Sequence, residues 1–495
     1  MKINIVAGDA ASQSAGALLL FVPEAAWSEQ TTLRPFNETL QGALADVFIS
    51  DYAGKAGETL VFYTRGTMAA ARIILVGLGK VDEVSADTIR RASAIGLQKA
   101  RALNVSNVAV ILPEFGLTVS DSAQAVVEGG LLGLYRYHAM KSTPAPTNDV
   151  ETLDIVTRDA EAASDGVHIG KATAEGTILA RDLINTPPNI CTPAYLADQA
   201  EKMGKANDLT VEILKRKQIE ALKMGALLAV AQGSSNAPRF IILEHRPEGT
   251  ENQQPIVLVG KGVTFDTGGY SLKTGEGMLG MKMDMSGGAA VIGAMYTIAR
   301  LNWPVAVVGL VPASDNMVDE RAYQPTDVIT ASNGKTIEII STDAEGRLLL
   351  ADVLVYAKRY NPAVVIDIAT LTGAVLTALG HVAAGLFSTD LDLTRDLQAA
   401  GEATYERVWE LPLYPEYQKL IDSDTADMKN SSTAKVAGSC VGAIFLKNFV
   451  DYPAWAHIDM AGKMTAESDT PYTPTGASGY GVRLLSEFVR RRAQK

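Results

Sequence analysis

The sequence predicts an α/β protein in which a smaller N-terminal α/β domain is joined by a helix to a larger C-terminal α/β domain with a mixed central sheet. Three observations support this prediction. The chain has 495 residues, more than one domain normally contains. Short apolar runs alternate with amphipathic stretches, as strands and helices do in α/β folds. A polar, proline-containing segment at 142–148 interrupts this alternation and indicates a domain boundary.

The N-terminal domain is predicted over residues 1–150. A linker over residues 151–188 follows it and contains a helix from about 165 to 183. Pro187 and Pro188 come after this helix, and proline cannot continue a helix because it lacks the backbone N–H. The segments of the N-terminal domain predicted as strands are 17–22, 73–76 and 108–112, and those predicted as helices are 86–102 and 123–138.

The larger C-terminal domain is predicted over residues 189–495. Its predicted strands are 256–259, 305–311 and 364–369, and its predicted helices are 288–300 and 348–360. Asn333 and Gly334 lie between two β-branched runs, a pattern that predicts a hairpin with a type I′ turn.

The composition excludes several classes of protein. A net charge of −12 disfavours general binding to nucleic acid, because both surfaces would be negatively charged. Two cysteines are too few for a disulfide scaffold or a cysteine zinc site. The sequence has neither a secretory signal at its start nor an apolar run of about 18 residues that could cross a membrane. We therefore expect a cytoplasmic enzyme.

Two glycine-rich segments resemble nucleotide-binding loops but lack essential residues. The segment 76–80 has no third glycine, and Ile329 stands where the first glycine of a phosphate loop ending at 334–336 would lie. The five histidines show no metal-binding spacing, so oxygen atoms would have to hold any metal.

Acidic and basic residues are concentrated in two glycine-containing segments, 260–285 and 341–347, each beginning near the end of an apolar run. In open α/β sheets, ligands bind at the carboxyl ends of the strands. Clustered carboxylates lose their charge unless cations lie nearby, and a pair of divalent metal ions supplies that charge. Asp266 alone is better interpreted as a turn residue. The whole set favours a site, because cations are interleaved with the carboxylates: Asp266, Asp284, Asp343 and Glu345, with Lys261, Lys273 and Arg347.

The same segments resemble the leucyl aminopeptidase family. The matching sequences are ARDLINTPPN, VGKGVTFDTGGYSLK, MKMDMSG, STDAEGRLLLADVL and DIATLTGA, and the similarity extends from about residue 171 to the end. The N-terminal domain matches only in general character. Ser341, Thr267 and Tyr270 depart from the commoner family residues, but no proposed ligand is lost.

The resemblance implies roles for individual residues. Two divalent ions per subunit, Mn²⁺ or Zn²⁺, would be bound by Lys261, Asp266, Asp284, Asp343 and Glu345. Asp266 and Glu345 would bridge both ions, Lys261 and Asp284 would complete the tighter site, and Asp343 the exchangeable one. Lys273 and Arg347 would be catalytic, with bicarbonate held at Arg347. The residues implied to bind substrate are Met281, Thr370, Leu371, Gly373, Ala461 and Met464.

The implied activity is release of N-terminal amino acids, preferentially leucine and other apolar residues, from peptides through a water activated by two metals. The family also implies a homohexamer. Two other classes stay open from the sequence. A catalytically silent relative is disfavoured by the intact ligand set, and a two-metal phosphatase or nuclease is disfavoured because it would need more histidines or a phosphate cradle.

Overall fold

The computed structural model describes residues 1–8, 12–143, 149–466 and 468–494. The chain divides into two compact units. The first comprises Met1–Glu175 and Ser468–Thr475, and the second Gly176–Glu467 and Gly476–Lys495. Residues 144–148 of the predicted domain boundary lie outside the described residues.

The first unit contains a six-stranded sheet in the order β1-β6-β5-β2-β4-β3, in which only the β3–β4 pair is antiparallel. The strands are β1 Lys2–Ala7, β2 Ala17–Pro23, β3 Thr59–Tyr63, β4 Arg72–Gly79, β5 Asn107–Ile111 and β6 Thr152–Thr157. The helices are α1 Arg34–Thr39, α2 Ala43–Asp51, α3 Ala86–Ala102, α4 Val119–Leu134 and α5 Ala160–Asn185.

Helix α4 was predicted about four residues too late, at 123–138. The helix instead begins after Thr118, whose side chain accepts a hydrogen bond from the backbone N–H of Asp121 and so caps the first turn. It ends before Tyr135. The apolar periodicity starts later than the helix because the first turn is polar.

The second unit contains a nine-stranded mixed sheet, as the sequence predicts. The order is β16-β15-β18-β14-β9-β11-β8-β7, with β10 paired to β11. Its strands are β7 Thr210–Lys215, β8 Arg239–His245, β9 Ile256–Gly260, β10 Gly262–Asp266, β11 Val307–Asn316, β14 Val364–Ala369, β15 Ala384–Ser388, β16 Val408–Glu410 and β18 Trp455–Asp459. Smaller sheets contain β12 Val328–Thr330, β13 Thr336–Glu338, β17 Met428–Lys429, β19 Thr465–Ala466 and β20 Gly476–Ala477.

Ten helices are described for the second unit beyond α5. They are α6 Pro193–Ala206, α7 Arg216–Ala221, α8 Gly225–Val230, α9 Gly275–Met278, α10 Ser286–Leu301, α11 Gly346–Ala357, α12 Gly373–Leu379, α13 Leu391–Thr404, α14 Gly438–Lys447 and α15 Val482–Ala493. Helices α10 and α15 contribute to one apolar core of this unit, and α11 and α14 contribute to another. Among the described helices, none is long and apolar enough to cross a membrane.

The central strands β9, β11, β14 and β18 run parallel to their neighbours in this group, so their carboxyl ends meet at one edge of the sheet. Strands β9 and β14 are buried throughout, which explains why their sequences are apolar apart from Asp367 of β14. Asp367 is buried because its carboxylate accepts a hydrogen bond from Trp455 Nε1 and pairs with His457 Nδ1. Polar residues follow where these strands end, and that edge therefore positions the candidate site.

Strand β11 continues past the predicted end at residue 311 and reaches Asn316. Its last residues are polar but buried, because each finds a partner: Asp315 accepts hydrogen bonds from Ser234 and Asn236. The Asn316 amide donates to Asp266. The end of the apolar run was therefore not the end of the strand.

The hairpin predicted around Asn333 and Gly334 is present, but the type I′ turn is wrong. Strands β12 and β13 pair antiparallel, and a five-residue connection joins them. Of the two predicted central residues, Asn333 and Gly334, only Gly334 has a positive φ, of 87°, whereas a type I′ turn requires a positive φ at both. Its N–H donates to the carbonyl of Ala331, as in a turn closed by a left-handed glycine.

Candidate metal centre and active site

A cleft of about 960 Å³ lies in the second unit, where the predicted site residues come together. Every residue that the sequence analysis singled out for binding metal, for catalysis or for binding substrate lines it. They are Lys261, Asp266, Lys273, Met281, Asp284, Asp343, Glu345, Arg347, Thr370, Leu371, Gly373, Ala461 and Met464.

Three carboxylates converge in the cleft. Asp266, Asp343 and Glu345 each place an oxygen within 4.8 Å of the others. Asp266 ends β10, whereas the other two precede α11, so residues about 80 positions apart are brought together. Asp266 and Glu345 are buried and Asp343 is exposed, so the cluster extends from the interior to the opening of the cleft.

The ammonium group of Lys261 lies between two carboxylates. Its Nζ is 2.8 Å from Asp284 Oδ1 and 2.8 Å from Glu345 Oε1, and it donates to the carbonyl of Thr370 at 2.9 Å. Burial lowers the pKa of Lys261, but the charges of Asp284 and Glu345 outweigh burial and raise this pKa above its ordinary value. Lys261 therefore carries a positive charge in this arrangement.

Lys273 bridges the other carboxylates. Its Nζ is 2.8 Å from Asp266 Oδ2 and 2.5 Å from Asp343 Oδ1. Burial is the largest single influence and lowers the pKa of Lys273, but the contacts with Asp266 and Asp343 together raise it by more, so the net direction is upward. The carboxylates themselves are destabilised as anions: burial raises the pKa of Asp266, Asp284 and Asp343, with repulsion from neighbouring carboxylates adding to it.

Two residues that the sequence analysis missed hold the carboxylate loops in place. Asn316 donates through Nδ2 to Asp266 Oδ1 at 2.8 Å and to the carbonyl of Thr342 at 2.9 Å. Thr342 Oγ1 donates to the carbonyl of Gly268 at 2.6 Å, and Gly268 has a φ of 85° that favours glycine. A lone asparagine beyond an apolar run carries no sequence signal for this role.

Arg347 is buried in the first turn of α11. Its Nη1 donates to the carbonyl of Asn430 at 2.8 Å, and its Nε has no hydrogen-bond partner among the described residues. Burial lowers the pKa of Arg347 to about 10. Asn430, also missed, holds residue 341 as well, since its Nδ2 donates to the carbonyl of Ser341 at 2.6 Å.

The remaining lining of the cleft has three parts. Met281, Ala461 and Met464 contribute apolar surface, and the turn that begins α12 contributes backbone as well as side chains. The segment 431–441 also lines the cleft but was not singled out from the sequence. Its many small and hydroxyl residues are typical of a loop, and they contain no motif that would have identified a site.

The donor set fits divalent metal ions. Four carboxylates are gathered with only two lysines between them, and carboxylate oxygens suit Mg²⁺, Mn²⁺ and Zn²⁺. Glu345 Oε2 is buried and accepts no hydrogen bond from the described residues, so this oxygen is available as a ligand. Asp343 reaches the opening, where exchange with solvent is possible.

Comparisons with known proteins identify the family of the chain. Residues 178–486 match the catalytic domain of the cytosol aminopeptidase family, and residues 19–144 match the N-terminal domain of the same family. A probable cytosol aminopeptidase of Roseiflexus castenholzii is 43% identical over 99% of both chains. One from Syntrophotalea carbinolica is 43% identical over 94% of this chain and 95% of its own.

Two solved structures extend the comparison. A mutant of tomato leucine aminopeptidase has a TM-score of 0.90 and 34% identity, covering 99% of this chain and 96% of that chain. The bottromycin maturation enzyme BotP in complex with Mn has a TM-score of 0.86 and 32% identity, covering 97% of this chain and 100% of its own. The resemblance inferred from the motifs is confirmed. The chain belongs to the cytosol aminopeptidase family and is a hydrolase of the aminopeptidase class.

Proposed function

We propose that this aminopeptidase uses two divalent metal ions to release N-terminal amino acids, preferentially leucine and other apolar residues, from peptides. The observation that carries the proposal is the convergence of Asp266, Asp343 and Glu345, with oxygens within 4.8 Å of one another, in an open cleft. A cluster of this kind suits a pair of cations better than a set of turn residues, because three like charges this close repel one another.

The residues proposed to hold the ions are Lys261, Asp266, Asp284, Asp343 and Glu345. Mn²⁺ or Zn²⁺ fits these donors, and a solved relative carries Mn. Lys261 must be neutral to act as a ligand. For a free lysine, lowering the pKa from about 10.4 to about 7 costs roughly 4–5 kcal/mol, at about 1.36 kcal/mol per unit, and the contacts of Lys261 with Asp284 and Glu345 add to this cost. Zinc binding worth roughly 10–16 kcal/mol can offset that cost.

Two ions bound here would activate a water near neutral pH and polarise the scissile carbonyl. Lys273 is the nearest side-chain cation to Asp266 and Asp343, at 2.8 and 2.5 Å. Once metal ions neutralise these carboxylates, its ammonium group can donate a hydrogen bond to the oxyanion that forms on the substrate carbonyl. Lys273 is therefore proposed to act as an electrostatic catalyst and not as a base.

Arg347 is proposed to hold bicarbonate. Its guanidinium is buried and has no salt bridge within the described part of the chain, while its Nε has no hydrogen-bond partner there. Guanidinium groups bind planar oxyanions through two parallel hydrogen bonds. A bicarbonate held in this way can transfer a proton between the attacking water and the leaving amine.

Apolar side chains are proposed to set the substrate preference. Met281, Met464 and Ala461 line the cleft, and methionine adapts to side chains of several shapes. Thr370, Leu371 and Gly373 are proposed to bind the substrate through their backbone. Leucine and methionine should therefore be preferred at the N-terminus of the peptide over Asp, Glu or Gly.

We further propose a homohexamer that acts on peptides in the cytoplasm. Large apolar side chains of the catalytic unit are exposed, as at Leu279, Val382 and Trp409, and packing against further copies would cover them. The relatives are named cytosol aminopeptidases, which supports the location. The charge of −12 argues against nucleic acid as a partner.

The proposal is tested by hydrolysis of leucine anilide before and after removal of metal. We expect activity to disappear with chelation and to return with manganese, zinc or cobalt. Full activity at a metal content near zero would refute the two-metal mechanism. Hydrolysis of phosphate esters in place of the anilide would indicate a phosphatase, and inactivity on both with metal bound would indicate a silent relative.

A further inference from the structure

A carboxylate lies buried behind the turn proposed to bind substrate. Asp459 is the last residue of β18, is fully buried and does not line the cleft. It pairs in register with Ala369 of β14, the residue just before the turn at 370–373. The chain turns from the sheet towards the cleft at this point, so Asp459 can act on the site only through its neighbours.

The carboxylate of Asp459 joins two walls of the cleft. Its Oδ1 accepts hydrogen bonds from the backbone N–H groups of Leu371 at 3.2 Å and Thr372 at 3.3 Å. The same oxygen accepts from the N–H of Ala461 at 3.3 Å, and Oδ2 accepts from Thr372 Oγ1 at 2.5 Å. One side chain therefore fixes both the 370–373 turn and the residue that leads into the apolar wall.

We infer that Asp459 is a positioning residue that makes the 370–373 turn present hydrogen-bond acceptors to the peptide substrate. Because the N–H groups of Leu371 and Thr372 are held by Asp459, they are not available to the substrate. The carbonyl of Thr370 is bound to Lys261, whereas that of Leu371 accepts no hydrogen bond within the described part of the chain. An N–H group of the peptide can bind that carbonyl.

The hydroxyl of Thr372 extends this arrangement to a third wall. Its Oγ1 shares a hydrogen bond of 2.8 Å with Ser439 Oγ, in the first turn of α14, and accepts one from the N–H of Val375. Ser439 belongs to the 431–441 segment of the cleft lining. Displacing the carboxylate of Asp459 would therefore disturb the turn and this segment together.

Burial of a carboxylate by itself could reflect a purely structural role, and Asp352 provides the matched control. Asp352 is also fully buried and accepts hydrogen bonds from two backbone N–H groups, those of Leu227 at 3.0 Å and Ser332 at 2.7 Å. It does not line the cleft and does not contact the 370–373 turn. Substitution of Asp352 should cost stability without affecting substrate binding.

The experiment compares Asp459→Ala and Asp459→Asn with Asp352→Ala in the metal-loaded full chain. Metal content, thermal midpoint, and kcat and KM on leucyl dipeptides are measured for each. For Asp459→Ala we expect KM to rise about tenfold, the scale of one or two lost hydrogen bonds, with metal content unchanged. Asp459→Asn should restore KM to within about threefold of the parent, because its amide oxygen still accepts from the backbone. Asp352→Ala should lower the thermal midpoint and leave KM unchanged.

An unchanged KM in Asp459→Ala, or an equal KM change in Asp352→Ala, would overturn the inference. If Asp459→Ala does not fold, Thr372→Val decides in its place. It removes the hydroxyl that links Asp459 to Ser439, so a several-fold rise in KM is expected, and an unchanged KM refutes the inference.

The inference rests on the proposed substrate-binding role of the turn, and Gly373→Val tests that role separately. Nothing lies within 4 Å of a Cβ built at Gly373, so valine there should fold normally and project into the cleft. If Gly373→Val leaves KM unchanged, the proposed role of the turn is wrong. If it raises KM while Asp459→Ala does not, the inference about Asp459 alone is wrong.

Discussion

Glu345 and Arg347 are two residues apart, yet alanine at each position is expected to have different consequences for the metal site. Glu345 lies in the carboxylate cluster, with Oε1 2.8 Å from Lys261 Nζ. Arg347 contacts the carbonyl of Asn430 and none of the proposed ligands. Glu345→Ala should therefore remove both metal and activity, whereas Arg347→Ala should retain the metal and lower turnover.

The size of the Arg347 effect follows from its burial. Its pKa is lowered from the ordinary arginine value to about 10 because the buried cation is poorly solvated. At about 1.36 kcal/mol per pKa unit, this corresponds to about 3 kcal/mol that an anion bound there can recover. Positioned proton transfer typically contributes about 10²–10⁴-fold to rate. We therefore expect kcat of Arg347→Ala to fall by about 10²–10³-fold.

The assay combines metal analysis with initial rates on leucine anilide in buffer depleted of bicarbonate and in buffer supplied with it. The parent rate should rise with bicarbonate, and the rate of Arg347→Ala should not respond. Arg347→Lys, which keeps the charge but not the paired donors, should fall between them. Equal loss of metal in Glu345→Ala and Arg347→Ala would refute the assignment, as would a parental bicarbonate response in Arg347→Ala.

Three further results are expected. Met281→Asp should lower turnover of peptides with N-terminal leucine and keep the metal content, since it alters only the apolar wall. If the unsubstituted enzyme preferred N-terminal Asp or Glu, the pocket assignment would be contradicted. Light scattering should show a hexamer, and activity assays should show that it cleaves short peptides faster than folded proteins. A fully active monomer would contradict this. Gly346→Ala should lower metal content, whereas Gly275→Ala, in the exposed helix α9, should leave it unchanged.

The sequence predicted the location of the site better than the residues that hold it in place. Strand β14 was predicted with its true limits, 364–369, because its mostly apolar sequence, interrupted only by the buried Asp367, ends abruptly at polar residues. The carboxylates could be found because acidic and basic residues recur on glycine-containing turns at such ends. Several independent motifs pointed to one family, and the residues carried over from that family all line one cleft.

The residues that hold the site in place could not be found in the same way. Asn316, Asn430 and Asp459 lie far along the chain from the groups they support, and each is a single polar residue without a motif. Asparagine and aspartate are common at the ends of strands for reasons of turn geometry alone. Their partners are determined by the register of the sheet, which the pattern of apolar residues does not specify.

Glycine at 346 illustrates how closely the backbone must approach Lys261. A Cβ at this position would lie 2.5 Å from Lys261 Cε and 2.7 Å from Nζ, closer than non-bonded atoms can come. A flexible lysine could normally move aside, but Asp284, Glu345 and the carbonyl of Thr370 hold this Nζ on several sides.

Alanine at 346 must therefore displace Lys261 from the position in which it faces the carboxylates. The substitution thus removes a proposed metal ligand although no ligand residue is itself substituted. No atom lies within 4 Å of a Cβ at Gly275, which makes Gly275→Ala a control for the added methyl group itself. Gly346→Ala with full metal content would show that Lys261 is not needed to hold the ions, while Asp266, Asp284, Asp343 and Glu345 could still bind them.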